Sequence, residues 1–145
     1  MREIIFRGKR IDSSEWVYGN FVRGCLEEYA YIVEFGNKEL CRNYVDVIPE
    51  TIGQYTGLTD KNGTKIFEGD ILHFKAYQGG GFACPLGTDI YCKIIYCEHN
   101  LGCNSCTDYI GFMAESKMGN LSSITYLTNS HNAVVIGNIY DNPEL

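Results

Sequence analysis

Apolar and polar residues alternate with a period of two along much of this chain, a pattern that predicts half-buried strands. Trp16, Tyr18, Asn20 and Val22 alternate against Val17, Gly19 and Phe21. Glu3–Phe6 reads as the hairpin partner of that strand, and Asp12-Ser13-Ser14 supplies turn residues between them. Ala30–Phe35 is a third strand rich in aromatic and β-branched residues, ended by Gly36-Asn37-Lys38, with Leu40–Tyr44 as its return. Tyr44–Ile48 then runs into Pro49. A residue before proline is pushed out of the α region, so Ile48-Pro49-Glu50 marks the expected joint between an N-terminal β module, residues 1–49, and the remainder, 50–145.

Beyond the joint, Ile52–Tyr55 reads as a short strand, Asn62-Gly63 as a type I′ turn and Glu68-Gly69-Asp70 as the entry to another strand. Ile71–Tyr77 sets Leu72, Phe74 and Ala76 on one face against Ile71, His73, Lys75 and Tyr77 on the other, with Tyr91–Cys97 as its partner. Between these two, residues 78–88 carry Gly79-Gly80-Gly81 and read as a surface loop, either a binding loop or a long hairpin end. Glu98–Thr107 is a second loop, Tyr109–Met113 a strand, and Ala133–Ile139 a last strand with the apolar run Val134-Val135-Ile136. Helix is expected only within Met113–Leu127, where Gly119 weakens it. Short strands separated by glycine turns, without βαβ alternation or an internal repeat, predict a mainly β fold of small-barrel or sandwich type with at most one or two short helices.

Three segments carry a family resemblance. IGQYTGLTDKNGTKIFEGD (Ile52–Asp70), VIGNIYDNPEL (Val135–Leu145), and REIIFRGKR with EWVYGN (Arg2–Arg10 and Glu15–Asn20) together resemble the YopX-like family of bacteriophage and prophage proteins. The resemblance spans the start, middle and end of the chain and leaves out the stretch from Gln78 to Asn132. It implies a small N-terminal β module followed by a C-terminal barrel of the Src-homology-3 type, chains that associate, and a phage setting without an assigned reaction. Within the motif Gly57, Gly63 and Gly69 read as turn glycines and Asp60 and Asp70 as side chains bonded to turn backbones. Ile52, Tyr55, Leu58, Ile66, Phe67 and Ile71 would fill the barrel.

Twelve basic and eighteen acidic residues give a formal charge of −6. A chain this acidic lacks the counterion-release energy behind non-specific nucleic-acid binding, so nucleic acid is not the expected partner. The one basic stretch, Arg2, Arg7, Lys9 and Arg10, reads as a charged, solvated edge strand, with a phosphate-contacting patch as the alternative. Ile4, Ile5 and Phe6 are too few for the apolar part of a secretory signal, and Met118–Tyr140, the longest stretch free of charge, is too polar to span a membrane. With seven cysteines, an odd number, the expectation is reduced thiols in the cytoplasm of a bacterial host cell, without a metal or cofactor.

Candidate chemistry is sparse. Cys97, His99, Cys103 and Cys106 offer zinc-ligand types on one loop, and Cys103 and Cys106 form a CxxC. Structural zinc sites usually join two ligand pairs across a longer spacer. Plain thiols are therefore the first reading, ahead of zinc or a redox pair. Cys92 reads as a small core residue. His73, His99 and His131 are scattered, no nucleophile motif occurs, and Glu68 with Asp70 reads as a self-stabilising turn rather than an acid–base pair. No catalytic, cofactor-binding or metal residue is nominated. The expectation is a non-enzymatic accessory protein that contacts a phage or host protein and associates with itself. The alternative is a nucleic-acid-binding barrel that stacks tyrosines on bases.

Overall fold

The computed structural model describes residues 3–25, 29–34, 43–76, 85–97, 111–117, 121–130 and 132–144. The chain divides into two compact units, Met1–Gly57 and Leu58–Leu145. Both are built of antiparallel strands, and one seven-residue α-helix and one 3-10 turn complete the described elements.

In the first unit β1 (Phe6–Lys9), β2 (Trp16–Arg23), β3 (Ala30–Glu34), β4 (Tyr44–Val47) and β5 (Gly53–Thr59) lie in the order β4-β3-β2-β1-β5. The first strand begins three residues later than Glu3, and it is flanked by β2 and β5, so the reading of its basic residues as a solvated edge does not hold. Arg7 is buried with its guanidinium 4.5 Å from the Trp16 ring centre, Lys9 lies 5.5 Å from the same ring, and Arg10 pairs with Asp12 at 2.8 Å. These cations are engaged by their own unit. Beyond β1 the chain bridges from Arg10 to Val47 of β4, and Ile48 N–H donates to the Lys9 carbonyl at 2.8 Å. A 3-10 turn at Pro49–Thr51 follows, and the Thr51 hydroxyl oxygen accepts the Lys9 N–H at 2.9 Å. Val17, Ala30, Ile32, Val45 and Val47 form the core, with Phe6, Phe21 and Ile52 packed against it.

In the second unit β6 (Lys65–Phe67) follows β5, and a five-stranded sheet runs β10-β9-β8-β7-β11. Its strands are β7 (Asp70–Lys75), β8 (Asp89–Cys97), β9 (Gly111–Ser116), β10 (Leu121–Ser123) and β11 (Val134–Asn138), with helix α1 at Ile124–Ser130. Leu72, Phe74 and Ala76 are buried together with Ile90, Cys92, Ile94, Ala114 and Leu127, as the alternation predicts. No pairing among the described residues closes this sheet into a barrel. Of the residues expected to fill one barrel, Ile66, Phe67 and Ile71 are buried in the second unit and Leu58 packs against its core. Ile52 packs in the first unit, where Tyr55 is also buried.

Several local expectations change. The strand expected at Ile52–Tyr55 extends to Thr59, and the one expected to return at Leu40–Tyr44 is described from Tyr44 to Val47. Met113–Ser116, read as the start of a helix, is β9, and the helix is confined to Ile124–Ser130. Asn62 is not in the left-handed region, which type I′ requires. The turn instead has Gly63 N–H bonded to the Asp60 carbonyl at 3.0 Å and only Gly63 left-handed, at φ 83°.

Candidate functional site

Strands β7, β8 and β9 and the chain's last residues enclose a cleft of about 420 Å³ in the second unit. Its floor follows from strand register. Ile71 stands opposite Lys93, and Lys93 opposite Glu115, so one cross-strand row reads apolar, cation, anion. The Lys93 ammonium meets the Glu115 carboxylate at 2.8 Å. Tyr91 continues the floor along β8, and Lys117, one residue past β9, brings a second ammonium that donates to the Glu144 carbonyl at 3.2 Å. Ile71, placed with polar neighbours by the alternation, is only 3% exposed.

The opposite wall is Ile139, Asn142 and Pro143, held by a turn that Asn138 organises. The Asn138 side-chain oxygen accepts the N–H groups of Tyr140 and Asp141 at 3.0 Å each, while its amide nitrogen donates to Asp141 at 2.7 Å. Asn142 closes the turn from the other side, its N–H donating to the Asn138 carbonyl at 2.9 Å. Gly137 permits this, since a Cβ there would fall 2.1 Å from the Asn142 side-chain oxygen.

The two long signature segments meet beside the cleft. Val135 N–H donates to Asp60 at 3.1 Å, and Ile139 N–H donates to the Gly69 carbonyl at 2.9 Å. Gly57, Gly63 and Gly69 all have positive φ, but Gly57 lies within β5 rather than in the turn expected of it. Asp60 also accepts N–H groups from Asn62 and Thr64, and Asp70, 2% exposed, accepts that of Phe67 at 2.8 Å. Asp60 and Asp70 therefore organise backbone.

Cys92 is the one described cysteine in the cleft lining. Burial pushes its thiol up to about 12. The thiolate is the reactive form, so at neutral pH this sulfur packs as a small apolar group. Cys97 is buried at the end of β8. His99, Cys103, Cys106 and His131 lie outside the described residues, as do Tyr77 and residues 78–84 of the glycine loop. Among the described residues no group of three or more His, Cys, Asp or Glu is placed to hold a metal. His73 sits on the outer face of β7, 2.7 Å from Asp89 and with its ring centre 5.0 Å from that of Tyr91, tilted by 35°. Its hydrogen bond, aided by Lys75, holds the Asp89 carboxyl below the usual range.

A second surface belongs to the first unit. Register aligns Val22 with Tyr31 and Asp46, and Asn20 with Val33 and Tyr44, on the sheet face opposite the core. Tyr31 and Tyr44 meet edge to face at 6.0 Å, and Tyr18 extends the face along β2. Tyr18 and Tyr44 are 46% and 48% exposed. The alternation of β2 contains this face, but the β3–β4 register that completes it does not follow from local pattern.

No described helix is long and apolar enough to cross a membrane. No curated protein matches the chain. The crystal structure of protein EF1440 from Enterococcus faecalis is similar in fold, with a TM-score of 0.54 at 22% identity over 99% of this chain and 98% of that one. The sequence profile described as YopX protein matches residues 5–145, a range that contains the whole cleft, and the chain belongs to the YopX protein family.

Proposed function

We propose that this chain is a phage- or prophage-encoded accessory protein that acts in the bacterial cytoplasm as a non-enzymatic protein-interaction module and associates with itself. The observation that carries this reading is the aromatic face formed by Tyr18, Val22, Tyr31, Val33 and Tyr44 across β2, β3 and β4. Contiguous exposed apolar surface marks contact sites, and tyrosine is enriched in them because it buries a large area with little loss of side-chain freedom. The protonated Cys92 thiol and the paired Lys93 suit a binding cleft better than a reactive one. The C-terminal part, residues 50–145, is read as a small barrel of the Src-homology-3 type on the family resemblance, with the antiparallel sheet β10-β9-β8-β7-β11 as its main wall.

The tyrosines also suit base stacking, the second reading. Asp46 stands in the row of Val22 and Tyr31 and opposes a phosphate backbone there. The test is capture of tagged protein from cells carrying the induced prophage, run beside a Tyr18→Ser/Tyr44→Ser double variant. We expect a defined protein partner that the variant loses. Equal capture by both would overturn the role of the face, and micromolar retention of DNA in a gel-shift assay would favour the second reading.

A further inference from the structure

After Leu72 the chain has only three basic residues, Lys75, Lys93 and Lys117, and no arginine. Two of these three line the same cleft. In a chain of charge −6, that placement concentrates positive charge where the surface is also concave and largely apolar. The residues that line the cleft include two ammoniums, Lys93 and Lys117, and one carboxylate, Glu115. Lys93 is neutralised by Glu115 at 2.8 Å. Lys117 donates to a neutral carbonyl at 3.2 Å, and an ammonium carries three donors, so its charge is the one an incoming anion would meet.

We propose that this cleft is a binding site for a monoanionic carboxylate attached to a compact apolar body. The Lys117 ammonium takes the carboxylate, and Ile71, Tyr91, Ile139 and Pro143 take the apolar part. Asn142 adds polar recognition: its side-chain oxygen lies 3.4 Å from the Asn138 N–H as acceptor, so its amide N–H₂ is the group left to offer a ligand oxygen. Phosphate is the poorer fit. It favours the forked donors of arginine or converging backbone N–H groups, and the lining contains no arginine among the described residues. The cleft's volume, about 420 Å³, is at the small end of the range for small-ligand sites and suits one or two residues' worth of ligand. Such a ligand has two sources, a free small acid and the carboxy-terminal residue of a polypeptide. The site is separate from the aromatic face of the first unit, so it stands whether or not that face binds a partner.

Isothermal titration of the full chain with N-acetyl-leucine, with a pentapeptide ending in a leucine carboxylate, and with the same pentapeptide amidated tests this directly. We expect the carboxylates to bind and the amide to bind at least tenfold more weakly. Similar affinity for the acid and the peptide assigns the site to small acids, and a peptide at least tenfold tighter assigns it to polypeptide termini. Lys117→Met keeps the length of the side chain and should lose at least tenfold in affinity with an unchanged thermal midpoint. Lys75→Met, outside the cleft, should bind as the parent does. Absence of binding by both carboxylates, or equal binding of acid and amide, would overturn the proposal. So would a Lys117→Met protein that stays folded and binds undiminished.

Discussion

A Cβ built on Gly19 would lie 2.0 Å from the Val33 carbonyl oxygen across the β2–β3 ladder, whereas one built on Gly63 would meet nothing within 4 Å. The first glycine is required by a neighbour's backbone and the second by its own φ of 83°. Gly63→Ala should therefore cost about 1–2 kcal/mol, the penalty of a left-handed residue. Gly19→Ala should cost about 3 kcal/mol, because strand backbone must move. Denaturant titration of the two variants checks the order, and a Gly63→Ala protein less stable than Gly19→Ala contradicts it. Cys92 supplies a residue-level prediction in pH. Burial raises its thiol from 9.0 to about 12, so the folded state holds the proton more tightly than the unfolded state. The stability this confers is intact below pH 9 and is lost progressively as pH rises toward 12. Cys92→Ala should flatten that alkaline limb while costing about 1 kcal/mol in packing at neutral pH. The turn glycines were legible in the sequence because their demand is local. Gly19 and Gly137 were not, because theirs comes from the placement of Val33 across the β2–β3 ladder and of the Asn142 side chain in the terminal turn.

One carboxylate, that of Asp60, joins the β5–β6 turn to β11. Burial alone would raise the Asp60 carboxyl, but hydrogen bonds from Thr64, Val135 and Asn62 outweigh it and hold the group below 3.8. Its contribution is present above that ordinary value and is lost as pH falls through the lower folded value. Asp60→Ala should cost about 2–3 kcal/mol, since it strands N–H groups in the β5–β6 turn and in β11 together. Asp60→Asn should remove part of the acid dependence of unfolding. Urea titrations of parent and variants between neutral and acidic pH measure both effects, and parallel pH profiles would contradict the assignment. Period-two alternation located β2 and β8, which each bury one face, and β7, where Leu72 and Phe74 follow the pattern although Ile71 on the other face is buried as well. It misplaced β9, whose residues from Gly111 to Met113 are all half-buried and show no alternation. The cleft was not legible either, since Lys93 and Lys117 become neighbours of Ile139 and Asn142 only through the β7–β8–β9 register and the terminal turn.

Each unit has its own core and its own surface, and the first leaves tyrosines outside its core on the opposite sheet face. Symmetric pairing uses the same patch on both copies, so a second copy of the chain is the occupant that the proposed association assigns to this face. Tyr18→Ser and Tyr44→Ser should each change stability by no more than about 0.5 kcal/mol, as exposed substitutions do, yet together weaken association. The family resemblance brought association into view, and the sequence could not say where, because the face is assembled from three strands. Light scattering across a concentration series, on the parent and the Tyr18→Ser/Tyr44→Ser variant side by side, tests the interaction-module account most directly. The account predicts a parent mass that rises above 16.4 kDa with concentration and a folded variant that stays at 16.4 kDa. A parent that remains at 16.4 kDa throughout, or a variant that associates as the parent does, would contradict it.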